Sequence, residues 1–337
     1  MLNFSSSGRL DCIDSAKAIA IIAIVVGHTV CINDIPFLHA TINSFHVPAF
    51  FIIAGFFVKD IAPRIALKKY AAQYLWPYLV TCLLVGLYGV TIRLLKGGDE
   101  LPTYIPEWTL KVLWGSGLRT NVLLGDMPYI GAIWFLFALF WAKLIVTLSI
   151  RRLPLLYAAS LTIALYSFAA IASRYILLPW SLLSAMEASL LLMVGYLIRR
   201  YELLERAHTM PRWLWALLIA LCVANILLDN FISMVRGYMG FNIVGLFCAV
   251  IETVGIICLC DKFNLRLPWT GANTLYLLSA HLVTMPLSST IYAKLLPHSQ
   301  PPLPLFLEVV AINLTLAYSL AWLMKHFNIL HCPTIAK

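Results

Sequence analysis

Long apolar runs, broken by proline, glycine and clustered charge, dominate the chain. Ten of them approach the roughly 20 residues that a helix needs to cross the hydrocarbon core of a bilayer. They fall near Ser15–Ile32, Asn43–Val58, Ala72–Ile92, Ile130–Leu148, Leu155–Ala172, Ser181–Ile198, Trp213–Leu228, Phe241–Cys260, Asn273–Leu295 and Leu303–Met324. The pattern predicts an all-α fold, a polytopic membrane helical bundle of about ten transmembrane helices forming a single domain over residues 1–337. The second run is short and follows the first closely, so the two are expected to form a tight hairpin. Pro48 is then placed in the first turn of the second helix, where proline is tolerated. One longer connection, at about residues 93–129, carries Gly97-Gly98-Asp99-Glu100, Pro102 and Pro106, with Trp108 and Trp114 suited to a membrane interface. The first run lacks a small-x-small cleavage site and is followed by many more, so it is read as a membrane helix rather than a leader.

Composition strengthens the membrane reading. Hydrophobic residues make up 61% of the 337 and charged residues 12%, whereas a soluble chain carries about 25% charged residues. Too little polar surface remains to cover a water-soluble body. The net charge of +9 has no basic run or basic–aromatic motif behind it, so nucleic acid is not an expected partner. Instead the lysines and arginines sort by side: 17 of the 24 fall on one face of the predicted topology and 7 on the other, and four of those seven (Arg93, Lys96, Lys111, Arg119) share the long loop. Positive residues favour the cytoplasm, which places both termini inside and the 93–129 loop outside. The eight cysteines show no C-x-x-C spacing and sit mostly within apolar runs; they are expected to pack, with no metal site and no disulfide.

Ionisable groups inside the spans are where chemistry is to be sought, because a charge at mid-bilayer costs at least about 2.5–3.5 kcal/mol. Lys17 and His28 lie eleven residues apart on the first predicted helix. At 100° per residue they return to within about 20° of each other, with a rise of about 16 Å. Lys17 is therefore expected at the cytoplasmic mouth and His28 near mid-membrane on the same stripe. Asp14, three residues before Lys17, joins that stripe and can pair with it. His281, about eight residues into the ninth span, falls at a depth where it can meet His28. His46 is expected to enter the second span from outside. Glu187 and Glu252 fall within the sixth and eighth spans, and each needs a partner or a proton. The aromatic segment Trp134-Phe135-Leu136-Phe137 is expected mostly to pack, and Gly55 permits close helix approach. Read from the residues alone, these groups would also suit a proton-coupled transporter or flippase, or a dry structural stripe in a scaffold.

Several motifs resemble one family. Arg9-Leu10-Asp11-Cys12-Ile13-Asp14-Ser15-Ala16-Lys17-Ala18, followed by Val25-Val26-Gly27-His28-Thr29, resembles the opening helix of the acyltransferase 3 family of integral membrane acyltransferases. There a basic residue, ten intervening residues and a histidine recur, and Lys17 and His28 match them. Phe45-His46-Val47-Pro48-Ala49-Phe50-Phe51-Ile52-Ile53-Ala54-Gly55-Phe56 is similar to the second-helix signature, with Ala54 where serine is common. Trp134-Phe135-Leu136 resembles the central aromatic motif, and the stretch from Gly271 to His281 the late helix that ends in histidine. Histidine before Pro48 leans toward the branch resembling fucose 4-O-acetylases and surface-polysaccharide acetylases. Lysine at position 17, where many members have arginine, can attract phosphate but cannot clamp it bidentately.

The resemblance implies transfer of an acetyl group from cytosolic acetyl-CoA, a co-substrate rather than a bound cofactor, to a hydroxyl of a surface glycan or lipid-linked sugar precursor. It also implies a place in a bacterial cytoplasmic membrane. His28 is the expected general base, since a histidine's ordinary pKa of about 6.5 suits proton transfer near neutrality. Lys17, oriented by Asp14, would position the CoA end, with Arg9, Arg64, Lys68 and Lys69 attracting its phosphates. His46, His281, Trp134, Glu187 and Glu252 are candidates for the acceptor sugar or the developing oxyanion.

Overall fold

A computed structural model describes residues 11–29, 32, 35–117, 120–121, 125–126, 129–230, 232, 234, 242–295 and 303–332. The fold is all-α. The first helices in chain order are α1 (Asp11–Gly27), α2 (Pro36–Phe56), α3 (Pro63–Tyr70), α4 (Trp76–Leu95), α5 (Leu101–Trp114), α6 (Trp134–Arg152) and α7 (Leu155–Ala172). There follow α8 (Leu182–Arg200), α9 (Leu203–His208), α10 (Arg212–Leu227), α11 (Ile243–Lys262), α12 (Pro268–Ala272), α13 (Thr274–Leu295) and α14 (Leu303–His326). Its extended structure among the described residues is one two-residue antiparallel pair, with Thr120 opposite Asp126 and Asn121 opposite Gly125.

Each of the ten predicted runs coincides with a helix. Among the described residues, seven helices are long and apolar enough to cross a membrane: α2, the continuous Pro63–Leu95 rod, α6, α7, α8, α11 and α14. The rod joins α3 to α4 through a π turn at Ala71–Leu75. Of the others, α1 has 17 residues and α10 has 16.

Two compact units divide the chain. The first comprises residues 1–57, 194–232 and 242–323, the second residues 58–193, 233–241 and 324–337. In the first unit α1 is the central element, packed on α2, α11, α12 and α13. Ala16, Ala18, Ala20 and Ala23 are all buried, and such small side chains let neighbouring backbones approach. Two glycines make the closest approaches. Gly195 lies against the backbone of Ile52, and Gly271 against the backbone of Asp14, where a Cβ would collide with main chain.

Three sequence expectations require correction. The second helix is not short: it begins at Pro36 and runs for 21 residues. Its polar opening looks like a loop in sequence, yet these side chains bond back to their own helix. Thr41 Oγ1 donates to the Phe37 carbonyl (2.7 Å), Asn43 Nδ2 to that of His39 (2.8 Å) and Ser44 Oγ to that of Thr41 (2.8 Å). Consequently Pro48 is inside the helix rather than in its first turn, and it cannot bond the Ser44 carbonyl. The first helix stops at Gly27, short of Ile32. After the last i→i−4 bond, His28 N to Ile24 O (3.1 Å), Thr29 N bonds one residue closer, to Val26 O (3.0 Å). The loop at 93–129 carries helix α5, which closes with Gly115 at φ 61°. Trp108 of α5 packs against α4 there, donating from Nε1 to the Cys82 carbonyl (3.2 Å).

Candidate active site

Helix α1 carries the predicted stripe. Asp14 and Lys17 form an ion pair of 2.5 Å, the carboxylate buried and the lysine partly exposed. The N-terminal part of α1 is fastened to the segment that leads into α13. Ser15 Oγ donates to the Leu265 carbonyl (2.6 Å) and accepts from Leu267 N (3.1 Å), while α12 presses Gly271 onto α1. Thr270 and Tyr318 share a hydroxyl–hydroxyl bond of 3.0 Å, which ties α12 to α14. These contacts fix the relative height of α1 and α13. About 15–20 Å further along, at 1.5 Å per residue, each helix presents a histidine.

His28 and His281 meet there, with ring centroids 5.3 Å apart and planes inclined at 57°. His28 is one residue beyond α1 rather than within it. Its Nδ1 is 2.8 Å from the Ile24 carbonyl. A carbonyl only accepts, so Nδ1 carries the proton and Nε2 of the neutral ring keeps its lone pair. His28 is exposed. His281 is buried, and its Nε2 has no hydrogen-bond partner.

His46 occupies the middle of α2, not its outer entrance. Its Nδ1 donates to the Ile42 carbonyl at 2.6 Å, which fixes the same tautomer as in His28, and it lies within electrostatic reach of His28. On α11, both carboxyl oxygens of Glu252 are buried with no hydrogen-bond partner, and Ser44 is the polar side chain that faces them. These groups do not form a metal cage: among the described residues no three His, Cys, Asp or Glu side chains are grouped to hold an ion.

Sequence reasoning missed Thr29 and Asn313. Buried Asn313, on α14, donates from Nδ2 to Thr29 Oγ1 (3.1 Å) and keeps its Oδ1 without a partner. Thr29 in turn donates to the Val25 carbonyl (3.3 Å), so the turn that carries His28 is held from both sides. An asparagine in an otherwise apolar span was the available signal.

The remaining candidates belong to the second unit, apart from Arg9, which lies outside the described residues. Arg64, Lys68 and Lys69 are exposed on α3. Trp134 is buried, edge-on to Phe135 (6.2 Å) and seated on Gly117, a packing position as expected. Glu187 is fully buried, within electrostatic reach of Tyr166.

A family model described as an acyltransferase domain, that of the acyltransferase 3 family, matches residues 10–322 and so runs through both units. No curated protein and no solved structure matches the chain.

Proposed function

Because the chain belongs to the acyltransferase 3 family, we propose that it is a membrane O-acetyltransferase, moving an acetyl group from cytosolic acetyl-CoA to a hydroxyl of a surface glycan or its lipid-linked precursor. In this reading it sits in a bacterial cytoplasmic membrane with both termini inside, as the distribution of its basic residues favours. The family supports acyl transfer as the reaction. One observation carries the choice of base: the exposed His28 spends its Nδ1 proton on the Ile24 carbonyl and keeps Nε2 able to accept.

The acceptor oxygen attacks the thioester carbonyl as Nε2 of His28 takes its proton. The tetrahedral adduct then collapses, the carbon–sulfur bond breaks, and the imidazolium returns the proton to the departing thiolate. Ester and free CoA thiol result. The Ile24 carbonyl, held at Nδ1, steadies the imidazolium formed between the two steps. His281, against the His28 ring, is suited to donate to the oxyanion, and such donors are typically worth about 10²–10³ in rate. Glu252 and His46 are suited to bind acceptor hydroxyls. Lys17, held by Asp14, attracts the charged end of the donor from the opposite end of the stripe.

The test is mass spectrometry of surface glycans from cells with and without the protein, paired with release of CoA thiol from acetyl-CoA by the purified protein. Loss of an acetyl increment with the gene, together with thiol release, is expected. Identical glycans and no thiol release would contradict the reading.

A further inference from the structure

Within the second unit, a cation is buried with no anion to meet it among the described residues. Lys143 lies inside α6, and its side chain is buried. Its Nζ donates to Tyr74 Oη at 3.1 Å and stands 5.4 and 5.7 Å from the ring centroids of Tyr70 and Tyr74. One helical turn further along α6, Thr147 Oγ1 is hydrogen-bonded to Tyr70 Oη at 2.9 Å. An ammonium has three donors, and this one spends a single donor on a phenol. Among the described residues no carboxylate pairs with it. Asp60, the acidic residue between Val58 and Leu95, is occupied by Arg151 at 2.7 Å.

Two further features bear on this lysine. Tyr74 lies within the π turn and Tyr70 immediately precedes it. π turns sacrifice regular helical bonding and recur at functional sites; here the turn separates the two phenols that flank one ammonium. In addition, Lys143 is the inner member of a positively charged series. Lys69 lies within electrostatic reach of both Lys143 and Lys59, and Lys59 and Lys69 are exposed. A set of like charges leading to a buried, unspent donor is electrostatically unfavourable alone and becomes favourable around a multiply charged anion.

We propose that Lys143, framed by Tyr70 and Tyr74 and approached past Lys59 and Lys69, is a binding site for a phosphate-bearing ligand. More than one lysine belongs to this series, which favours a pyrophosphate or phosphomonoester over a single carboxylate. Such a group can belong to the phosphates of a CoA thioester or to an anionic lipid headgroup. Only the first source rests on the function proposed above.

The experiment measures binding of inorganic pyrophosphate, CoA and 3′-dephospho-CoA to the full chain in nanodiscs of zwitterionic lipid, by calorimetry, with and without added phosphatidylglycerol. Wild-type protein is expected to bind pyrophosphate. Lys143→Gln and Lys143→Met are expected to weaken it by about tenfold or more, the loss of one charge-assisted contact. Competition by phosphatidylglycerol identifies a headgroup as the natural occupant; a parallel loss of CoA affinity identifies the thioester. Should both Lys143 variants fail to fold, reversing the exposed pair with Lys59→Glu and Lys69→Glu must weaken pyrophosphate binding. Pyrophosphate binding that is absent in the wild type, or unchanged in folded variants, overturns the site. Lys143-dependent pyrophosphate binding without any CoA binding keeps this site and removes the acyl-CoA reading, whereas CoA binding together with pyrophosphate binding indifferent to Lys143 does the reverse.

Discussion

Helix α2 and the group α11, α13 and α14 carry polar side chains through similarly apolar surroundings; Thr253 and Thr284 of the second group bond back to their own helices as those of α2 do, but others there do not. On α2, Thr41, Asn43, Ser44 and His46 each donate to a carbonyl three or four residues back in the same helix. Glu252, His281 and Asn313, on the other three helices, each keep at least one buried oxygen or nitrogen without a partner. A buried polar atom left unsatisfied costs about 1–3 kcal/mol. Polar groups of the first kind are satisfied within their own helix, whereas those of the second kind leave a buried atom available. The difference lies within one unit, and it is independent of the family match.

The comparison can be broken by mutation. His281→Leu has the largest expected effect: acetyl transfer falls by about 10²–10³-fold as an oxyanion donor is lost, while the melting temperature stays level or rises because an unsatisfied nitrogen is removed. Thermal melting beside a thiol-release assay checks both halves, and a collapse of stability would show that His281 is a structural residue. Asn313→Leu comes next. Removing its bond to Thr29 loosens the turn that carries His28, so kcat is expected to fall about tenfold, equivalent to about 1.4 kcal/mol, with KM for acetyl-CoA little changed. A rise in KM alone would contradict that positioning role. The smallest effect belongs to Thr41→Val on α2, whose bond is local and exposed. Stability within about 0.5 kcal/mol of wild type and unaltered transfer are expected; a large change in either would erase the contrast between the helices.

Much of this was legible in the sequence because hydropathy is a long-range signal in a membrane protein. Helix α7 spans Leu155–Ala172 as predicted, and the matched heights of His28 and His281 followed from counting residues at a fixed rise. Local bonding was illegible. The start of α2 was lost because self-satisfied polar side chains look like a loop, and the end of α1 because Gly27, His28 and Thr29 do not by themselves announce a tightened turn. The burial of Lys143 is not legible in sequence, since burial depends on which helices surround it. The significance of Asn313 is not legible in sequence because it lies in contact with a residue 284 positions away.

The central claim is that the Nε2 lone pair of His28 accepts the acceptor proton. Its most direct test is single-turnover acetyl transfer by His28→Gln, with acetyl-CoA binding measured on the same folded preparation. The account predicts that binding persists while transfer falls by about 10²–10⁴-fold, the range for loss of a general base. Transfer at the wild-type rate in a protein that still binds the donor would contradict it.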